Sequence, residues 1–156
     1  MTSTSSLAAG TLTIIVTGCS TGIGHSVALH LARQGHIVFA TMRNAGHRKE
    51  GRSIRQIAST ENLRLHVITL DVDDVYSCSL AIGECLYLSP RGRIDVLINN
   101  AGVGGKVAPV EETEDTDFER IMRTSELFFF PSSLFPLLSS LSSRVLTTYH
   151  HDQPHT

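Results

Sequence analysis

A glycine-rich turn carries the clearest chemistry in this sequence. Residues 18–24 read Gly-Cys-Ser-Thr-Gly-Ile-Gly, between an apolar run and a segment with helical periodicity. Between a strand and a helix, such a turn lets the backbone approach a pyrophosphate, which the helix N-terminus attracts through unpaired N–H groups and its dipole. We expect the first glycine to allow the tight turn, the second the phosphate approach, and the third close helix–strand packing. The predicted contact residues are Gly18, Ser20, Thr21, Gly22, Ile23 and Gly24.

The end of the second apolar run indicates which dinucleotide would bind. An acidic residue about 20 positions after the turn would bind the ribose 2′-hydroxyl of NAD. Here Arg43 follows the run, and no carboxylate occurs before Glu50. An arginine can pair with a 2′-phosphate through charge-assisted hydrogen bonds, so we expect NADP(H) rather than NAD(H). The alternative for Arg43 is a solvated surface arginine. The alternative for the glycine turn at 18–24 is a tight connection between strand and helix that binds no ligand. The nearby cations Arg48, Lys49, Arg52 and Arg55 are expected to form a solvated face, and the alternative is that they help to hold the 2′-phosphate.

Two further polar sites follow the third and fourth apolar runs, at the sheet edge where open α/β folds bind ligands. Asp71 is expected either to accept a hydrogen bond from an adenine amino group, with a backbone contact from Val72, or to cap the next helix. An Asn-Asn-Ala-Gly run starts at Asn99, whose side chain is expected to hold the backbone of neighbouring strands. Ala101 and Gly102 are small enough to let a cofactor ribose pass.

These sites require a frame in which strands alternate with helices. Short apolar runs predict strands at 11–17, 36–41, 64–70 and 94–98, and helical periodicity predicts helices at 23–34, 44–60, 74–88 and 111–122. This alternation is typical of an α/β protein with a Rossmann-type doubly wound parallel sheet. Right-handed crossovers then place the strands in the order 3-2-1-4.

Composition narrows the class of protein further. The chain has 156 residues, 41% of them hydrophobic, and a net charge of −2, which favours one globular domain and disfavours a nucleic-acid partner. The three cysteines form no CxxC pair, which favours reduced thiols. The N-terminus lacks the basic leader of a secretory signal, and no run of about 18 apolar residues predicts a membrane span. We therefore expect a cytoplasmic protein. No metal is expected, because His150, His151 and His155 lie in a polar terminus.

Together these motifs closely resemble the short-chain dehydrogenase/reductase family. The family's Thr-Gly-x-x-x-Gly-x-Gly turn matches residues 17–24, its Asn-Asn-Ala-Gly motif starts at Asn99, and its adenine-side aspartate matches Asp71. The stretch 39–43 looks like members that prefer NADP and act on hydrophobic alcohols or ketones, such as hydroxysteroid and retinol dehydrogenases. The resemblance covers about residues 11–124. It implies an oxidoreductase that transfers a hydride between NADP(H) and an alcohol or ketone.

The catalytic half of the family pattern is not found. The resemblance implies a catalytic Ser and a Tyr-x-x-x-Lys motif, in which the tyrosine is the acid/base and the lysine lowers its pKa. Tyr149 is followed by Gln153, which carries no charge that could depress the phenol pKa, and Ser125 stands where the family has an asparagine. We therefore assign no catalytic residue and leave open whether the chain is itself an enzyme. The alternatives to a dehydrogenase with little turnover are an NADP-binding module without catalysis and an unproductive gene product.

The range of the resemblance and the missing catalytic motif predict the domain organisation. We expect a flexible N-terminus at 1–10, a dinucleotide-binding domain at 11–125, and a low-complexity, non-native or disordered tail at 126–156, which includes the uncharged stretch 127–143. A complete domain of this kind has roughly 200–250 residues, so we expect a truncation. A retained intron or shifted reading frame is the preferred explanation, and a short isoform is the alternative. The outer edge of the fourth strand should then be exposed, and the family's dimer helices should be missing.

Overall fold

Parallel strands alternate with helices in this computed structural model, which describes residues 10–103, residue 116 and the backbone of 144–147. The strands are β1 (Thr13–Val16), β2 (Ile37–Met42), β3 (Leu65–Thr69), β4 (Val96–Asn99) and β5 (Arg144–Thr147). The helices are α1 (Gly22–Arg33), α2 (Lys49–Thr60) and α3 (Val75–Leu88).

The strand order is β3-β2-β1-β4-β5, and every pair is parallel. The predicted Rossmann-type order 3-2-1-4 is therefore confirmed for the first four strands. In register, Ile15 of β1 lies between Phe39 of β2 and Leu97 of β4, so the carboxyl ends of the three parallel strands lie at the same edge of the sheet.

Successive residues of the central strands point to opposite faces, which creates two apolar cores. Ile14 and Val16 pack with residues of α1 and α2 on one face. Ile15 and Phe39 pack with residues of α3 on the other face. Both faces are buried because helices cover them, which explains why the strands read as continuous apolar runs rather than alternating ones.

At the amino-terminal edge of the sheet, opposite the glycine turn, polar contacts join β1 to the segment before β4. The main-chain N–H of Thr13 donates to Asp95 Oδ2 at 2.8 Å, and Arg93 Nε pairs with Asp95 Oδ1 at 2.9 Å. Asp95 is 7% exposed, so these contacts satisfy a carboxylate that would otherwise be costly to bury. They join the start of β1 to the residue before β4 and help to fix the two strands in register.

Two expectations about the chain path were wrong. The outer edge of β4 is not exposed, because β5 pairs with it from Val96↔Arg144 to Asn99↔Thr147. Helix α2 begins at Lys49 rather than at residue 44, since Asn44 has a φ of 53° and opens a turn instead of a helix. The helix predicted at 111–122 lies outside the described residues except for Thr116, which is helical. Within the tail expected at 126–156, the structure describes residues 144–147, which form β5 and are not disordered. The remaining expectations for residues 1–9 and for the rest of the tail concern residues outside the described part.

In the described ranges, no helix is long and apolar enough to cross a membrane.

Candidate functional site

The glycine turn leaves β1 directly beside the end of β4. Gly18 has a φ of 71°, and a Cβ atom on it would lie 2.7 Å from Ala101 Cα. Any larger residue would therefore meet both a left-handed backbone and the neighbouring main chain. Only glycine lets the chain turn sharply while the loop after β4 stays this close.

Gly24 brings α1 equally close to the same loop. A Cβ atom there would lie 2.3 Å from Asn100 Nδ2 and 2.6 Å from the main-chain oxygen of Gly18. The second contact is with backbone, which cannot move aside as a flexible side chain would. This is the close helix–strand packing expected of the third glycine, and it sets the start of α1 against the end of the sheet.

Within the described part of the chain, the N-terminus of α1 is exposed. Thr21 has extended backbone angles, φ −150° and ψ 175°, and its side chain makes no capping hydrogen bond. A Cβ atom on Gly22 would meet none of the described residues within 4 Å, and Gly22 has a φ of 65°. Thr21 and Ile23 are exposed beside it. Uncapped N–H groups, the positive end of the dipole and an empty approach together fit a phosphate group.

Asn100 joins the glycine turn to β4, although sequence analysis did not select it. Its side-chain Nδ2 donates to the main-chain oxygens of Thr17 at 3.0 Å and Gly18 at 3.2 Å. The main-chain N–H groups of Asn100 and Ala101 both donate to Thr17 Oγ1 at 3.0 Å. These contacts to the turn belong to Asn100, and the role of Asn99 toward the backbone of neighbouring strands stays a prediction. Two adjacent asparagines at a strand end were a signal, but the sequence could not tell which one faces the turn.

Asp71 is not the cap of the following helix. The carboxylate of Asp74 caps α3 by accepting from the N–H groups of Tyr76 at 2.9 Å and Ser77 at 3.3 Å. Asp71 instead accepts from the N–H of Asp73 at 3.2 Å. Its side chain and that of Val72 are partly exposed at the carboxyl edge of the sheet, so a role toward an adenine remains a prediction.

Arg43 is the first residue after β2 and is exposed. In the described part of the chain, no hydrogen bond or ion pair engages its guanidinium. The four cations expected to form a solvated face, Arg48, Lys49, Arg52 and Arg55, are all exposed. Arg55 in addition donates to the main-chain oxygens of Ala45 and Val67, across the loop that follows Arg43.

Cys19 lies inside the turn but offers no reactive thiolate. Its thiol is fully buried and donates to the main-chain oxygen of Val16 at 3.2 Å. Burial raises the pKa of Cys19 to about 12. The residue therefore acts as a small buried side chain beneath the turn.

The family comparison agrees with this geometry. A family model described as short chain dehydrogenase matches residues 12–130, which is most of the chain. The chain belongs to the short-chain dehydrogenase family. This family binds a nicotinamide dinucleotide, and the matched region contains the glycine turn, Arg43, Asp71 and the Asn-Asn-Ala-Gly run.

Several short-chain dehydrogenases are similar in sequence. Bovine (Bos taurus) retinol dehydrogenase 8 is 41% identical over 103 residues, which cover 64% of this chain and 30% of that protein. A 3beta-hydroxysteroid dehydrogenase of Mediterraneibacter gnavus is 32% identical over 70% of this chain and 38% of its own length. An NADPH-dependent pterin aldehyde reductase of Arabidopsis thaliana is 30% identical over 72% of this chain and 44% of its own. The chain thus spans less than half the length of these relatives.

Solved short-chain dehydrogenases share the fold. A dehydrogenase/reductase from Sinorhizobium meliloti superposes with a TM-score of 0.72 at 30% identity, covering 88% of this chain and 53% of that one. An actinorhodin polyketide ketoreductase solved with NADPH superposes with a TM-score of 0.64 at 27% identity, covering 74% of this chain and 42% of that one.

The catalytic part of the family pattern falls outside the described residues. Ser125, Tyr149 and Gln153 all lie there, as do the three C-terminal histidines. Among residues that are described, no group of three or more His, Cys, Asp or Glu side chains could hold a metal ion. The described residues of the family pattern therefore lie at the carboxyl edge of the sheet.

Proposed function

We propose that this chain binds a nicotinamide dinucleotide at the carboxyl edge of its sheet and prefers NADP(H). The observation that carries the proposal is the uncapped N-terminus of α1 at Gly22, held beside β4 by the contacts of Asn100. It combines partial positive charge, open space and a rigid backbone, which are the properties that a pyrophosphate requires.

Each part of the dinucleotide has proposed partners in the chain. The pyrophosphate would be held by the turn residues Gly18, Ser20, Thr21, Gly22, Ile23 and Gly24. The adenine would lie toward Asp71 and Val72, and the nicotinamide ribose toward Asn99, Ala101 and Gly102. When bound, the nicotinamide supplies or accepts a hydride.

The preference for NADP(H) rests on Arg43. It is exposed immediately after β2, and no carboxylate stands between it and Glu50 to repel a 2′-phosphate. A guanidinium suits a phosphate because its N–H groups bond two oxygens at once. In support, the similar pterin aldehyde reductase is named as NADPH-dependent, and the similar ketoreductase was solved with NADPH.

The reaction that this cofactor would serve is hydride transfer between NADP(H) and a hydrophobic alcohol or ketone. The similar proteins named as retinol and hydroxysteroid dehydrogenases support this class. No Tyr-x-x-x-Lys motif occurs in the 156 residues. We therefore propose that this chain binds the cofactor with little or no turnover, because the sequence lacks the motif that would pair a phenol with an ammonium to move the substrate proton.

Calorimetric titration of the full chain with NADPH and with NADH tests the proposal. We expect NADPH to bind at least about tenfold more tightly, the equivalent of one good charge-assisted contact. Arg43→Ala should remove this difference, whereas Arg64→Ala, at the far end of β3, should keep it. Equal affinities in the wild type, or tighter NADH binding, would refute the preference. Oxidation of NADPH that depends on an added ketone would refute the expected lack of turnover.

A further inference from the structure

The loop between β2 and α2 is held in place by hydrogen bonds to one buried residue, Ala45. Ala45 is completely buried. Its N–H donates to Thr69 Oγ1 at the end of β3, at 3.2 Å. Its carbonyl oxygen accepts from Arg55 Nη1 of α2 at 3.1 Å. Both main-chain polar groups of this loop residue are therefore satisfied by side chains from other elements.

Arg55 connects this loop to the sheet. While Nη1 bonds the oxygen of Ala45, Nη2 donates to the oxygen of Val67 in β3 at 3.2 Å. One planar guanidinium thus bridges two main-chain carbonyls that are 22 positions apart in sequence. A lysine could not reproduce this contact, because an ammonium lacks the fixed fork of donors.

The backbone of α2 also packs closely against Ala45. A Cβ atom on Gly51 would lie 2.3 Å from the main-chain oxygen of Ala45. Helix α2 therefore reaches the loop only because residue 51 is glycine. Between Ala45 and β2, Asn44 adopts a φ of 53°, which sets the direction in which the chain leaves the strand.

We propose that Arg55 is a positioning residue that sets the preference for a 2′-phosphate by holding the loop that carries Arg43. This inference rests on the proposed function. Arg43 precedes the fixed residue Ala45 by two positions, so its direction depends on how that loop is held. A preorganised guanidinium binds a phosphate more tightly, since less conformational freedom is lost on binding. Arg55 itself is committed to two carbonyls and acts through the loop.

The test compares two small ligands that differ in one phosphate group. Adenosine 2′,5′-bisphosphate carries the 2′-phosphate, and adenosine 5′-monophosphate lacks it. Both are titrated calorimetrically into the full chain, and the ratio of their dissociation constants is measured. This ratio does not depend on the folded fraction, because both ligands bind the same folded molecules. A purely structural role of Arg55 would therefore lower thermal stability without changing the ratio.

Arg55→Met should weaken the bisphosphate about tenfold and leave the monophosphate within about twofold, the equivalent of one charged hydrogen bond. Arg64→Met is the matched control, because Arg64 also donates to a main-chain oxygen, that of Gly35 at 2.7 Å, but at the other end of the sheet. It removes the same charge and should leave the ratio unchanged. An unchanged ratio in Arg55→Met, or an equal change in Arg64→Met, overturns the inference.

Gly51→Ala tests the same loop without altering charge. The added methyl group must displace the oxygen of Ala45, so we expect the same selective loss of bisphosphate affinity. Gly46→Ala, in the same loop, is the control, because a Cβ there would meet no atom of the described residues within 4 Å. If Gly51→Ala keeps the wild-type ratio, Arg55 acts by its charge alone and the positioning role is refuted. A wild type without any preference for the bisphosphate refutes the proposed NADP(H) preference and this inference together. A wild-type preference that is lost in Arg43→Ala but kept in both loop variants refutes only the inference.

Discussion

Gly24 and Asn100 approach so closely that a Cβ atom on the glycine would lie 2.3 Å from the amide nitrogen of the asparagine. That amide also donates to the main-chain oxygens of Thr17 and Gly18. One side chain therefore contacts the end of β1, the glycine turn and the first turn of α1. The proposed phosphate site is rigid because these three segments share a partner from the loop after β4.

Gly24→Ala should damage both stability and dinucleotide binding. The methyl group would meet the backbone oxygen of Gly18, and overpacking of this kind costs about 1–3 kcal/mol. Urea unfolding should show this loss, and NADPH titration should show weaker binding, because α1 must move away from the turn. Gly83→Ala is the control: its Cβ meets nothing within 4 Å in α3, so it should stabilise the chain by up to about 1 kcal/mol. Equal stability of the two variants would contradict the close packing.

Asp95→Ala should destabilise the chain more than Arg93→Ala does. The aspartate side chain is 9% exposed and satisfies the N–H of Thr13, so its loss leaves a buried donor unpaired, at about 1–3 kcal/mol. Arg93 is about half exposed, and its removal leaves the contact with Thr13 in place, so a loss below about 1 kcal/mol is expected. Denaturant midpoints at neutral pH measure both. A larger loss for Arg93→Ala would show that the ion pair, not the backbone contact, stabilises this edge.

His66 should make stability fall in mildly acidic solution. Burial lowers the pKa of His66 below its usual 6.5, and nearby Glu84 only partly opposes this shift. The unfolded chain therefore binds a proton more readily than the folded chain. The stabilising effect of the neutral ring is complete above pH 6.5 and is lost as the pH falls from there through the lower folded pKa. His66→Gln should flatten this part of the stability curve.

The measurement for His66 is a series of urea unfolding curves across this pH range. A wild-type stability that rises toward acid pH would contradict the direction of the shift. His66 also stacks on Phe39, with ring centroids 5.3 Å apart, so the glutamine variant should lose some stability at every pH.

All three cysteines should resist alkylation in the native protein. They are buried, and burial raises the pKa of Cys19 and Cys85 to about 12 and that of Cys78 to about 11. At about pH 8, roughly one thiol in a thousand or fewer is then ionised. Iodoacetamide labelling followed by peptide mass analysis should show reaction only after denaturant is added. Rapid labelling of Cys19 in native conditions would show that the glycine turn opens, and bound NADPH should then slow it.

Local patterns in the sequence determined the frame and the general place of the site. Apolar runs bounded by glycine, asparagine and aspartate predicted four strands in the order 3-2-1-4, since burial on both faces leaves a readable signature. The glycine turn could likewise be predicted from the sequence, because the glycines that its backbone requires lie within a few consecutive residues. Arg43 and Asp71 were placed at the carboxyl edge by the same logic, since all parallel strands end there.

Only the tertiary structure decided which side chains hold that edge together. Asn100 bonds the glycine turn, Arg55 bonds main-chain oxygens of a loop and of β3, and β5 pairs with β4. Each of these depends on main-chain groups from distant segments that come within about 3 Å, the range of a hydrogen bond. The periodicity of apolar residues shows which positions face the core. It does not show which distant main-chain carbonyl will accept a hydrogen bond from a given side chain. The sequence thus determined what the site is made of, and the packing of separate segments determined how it is held.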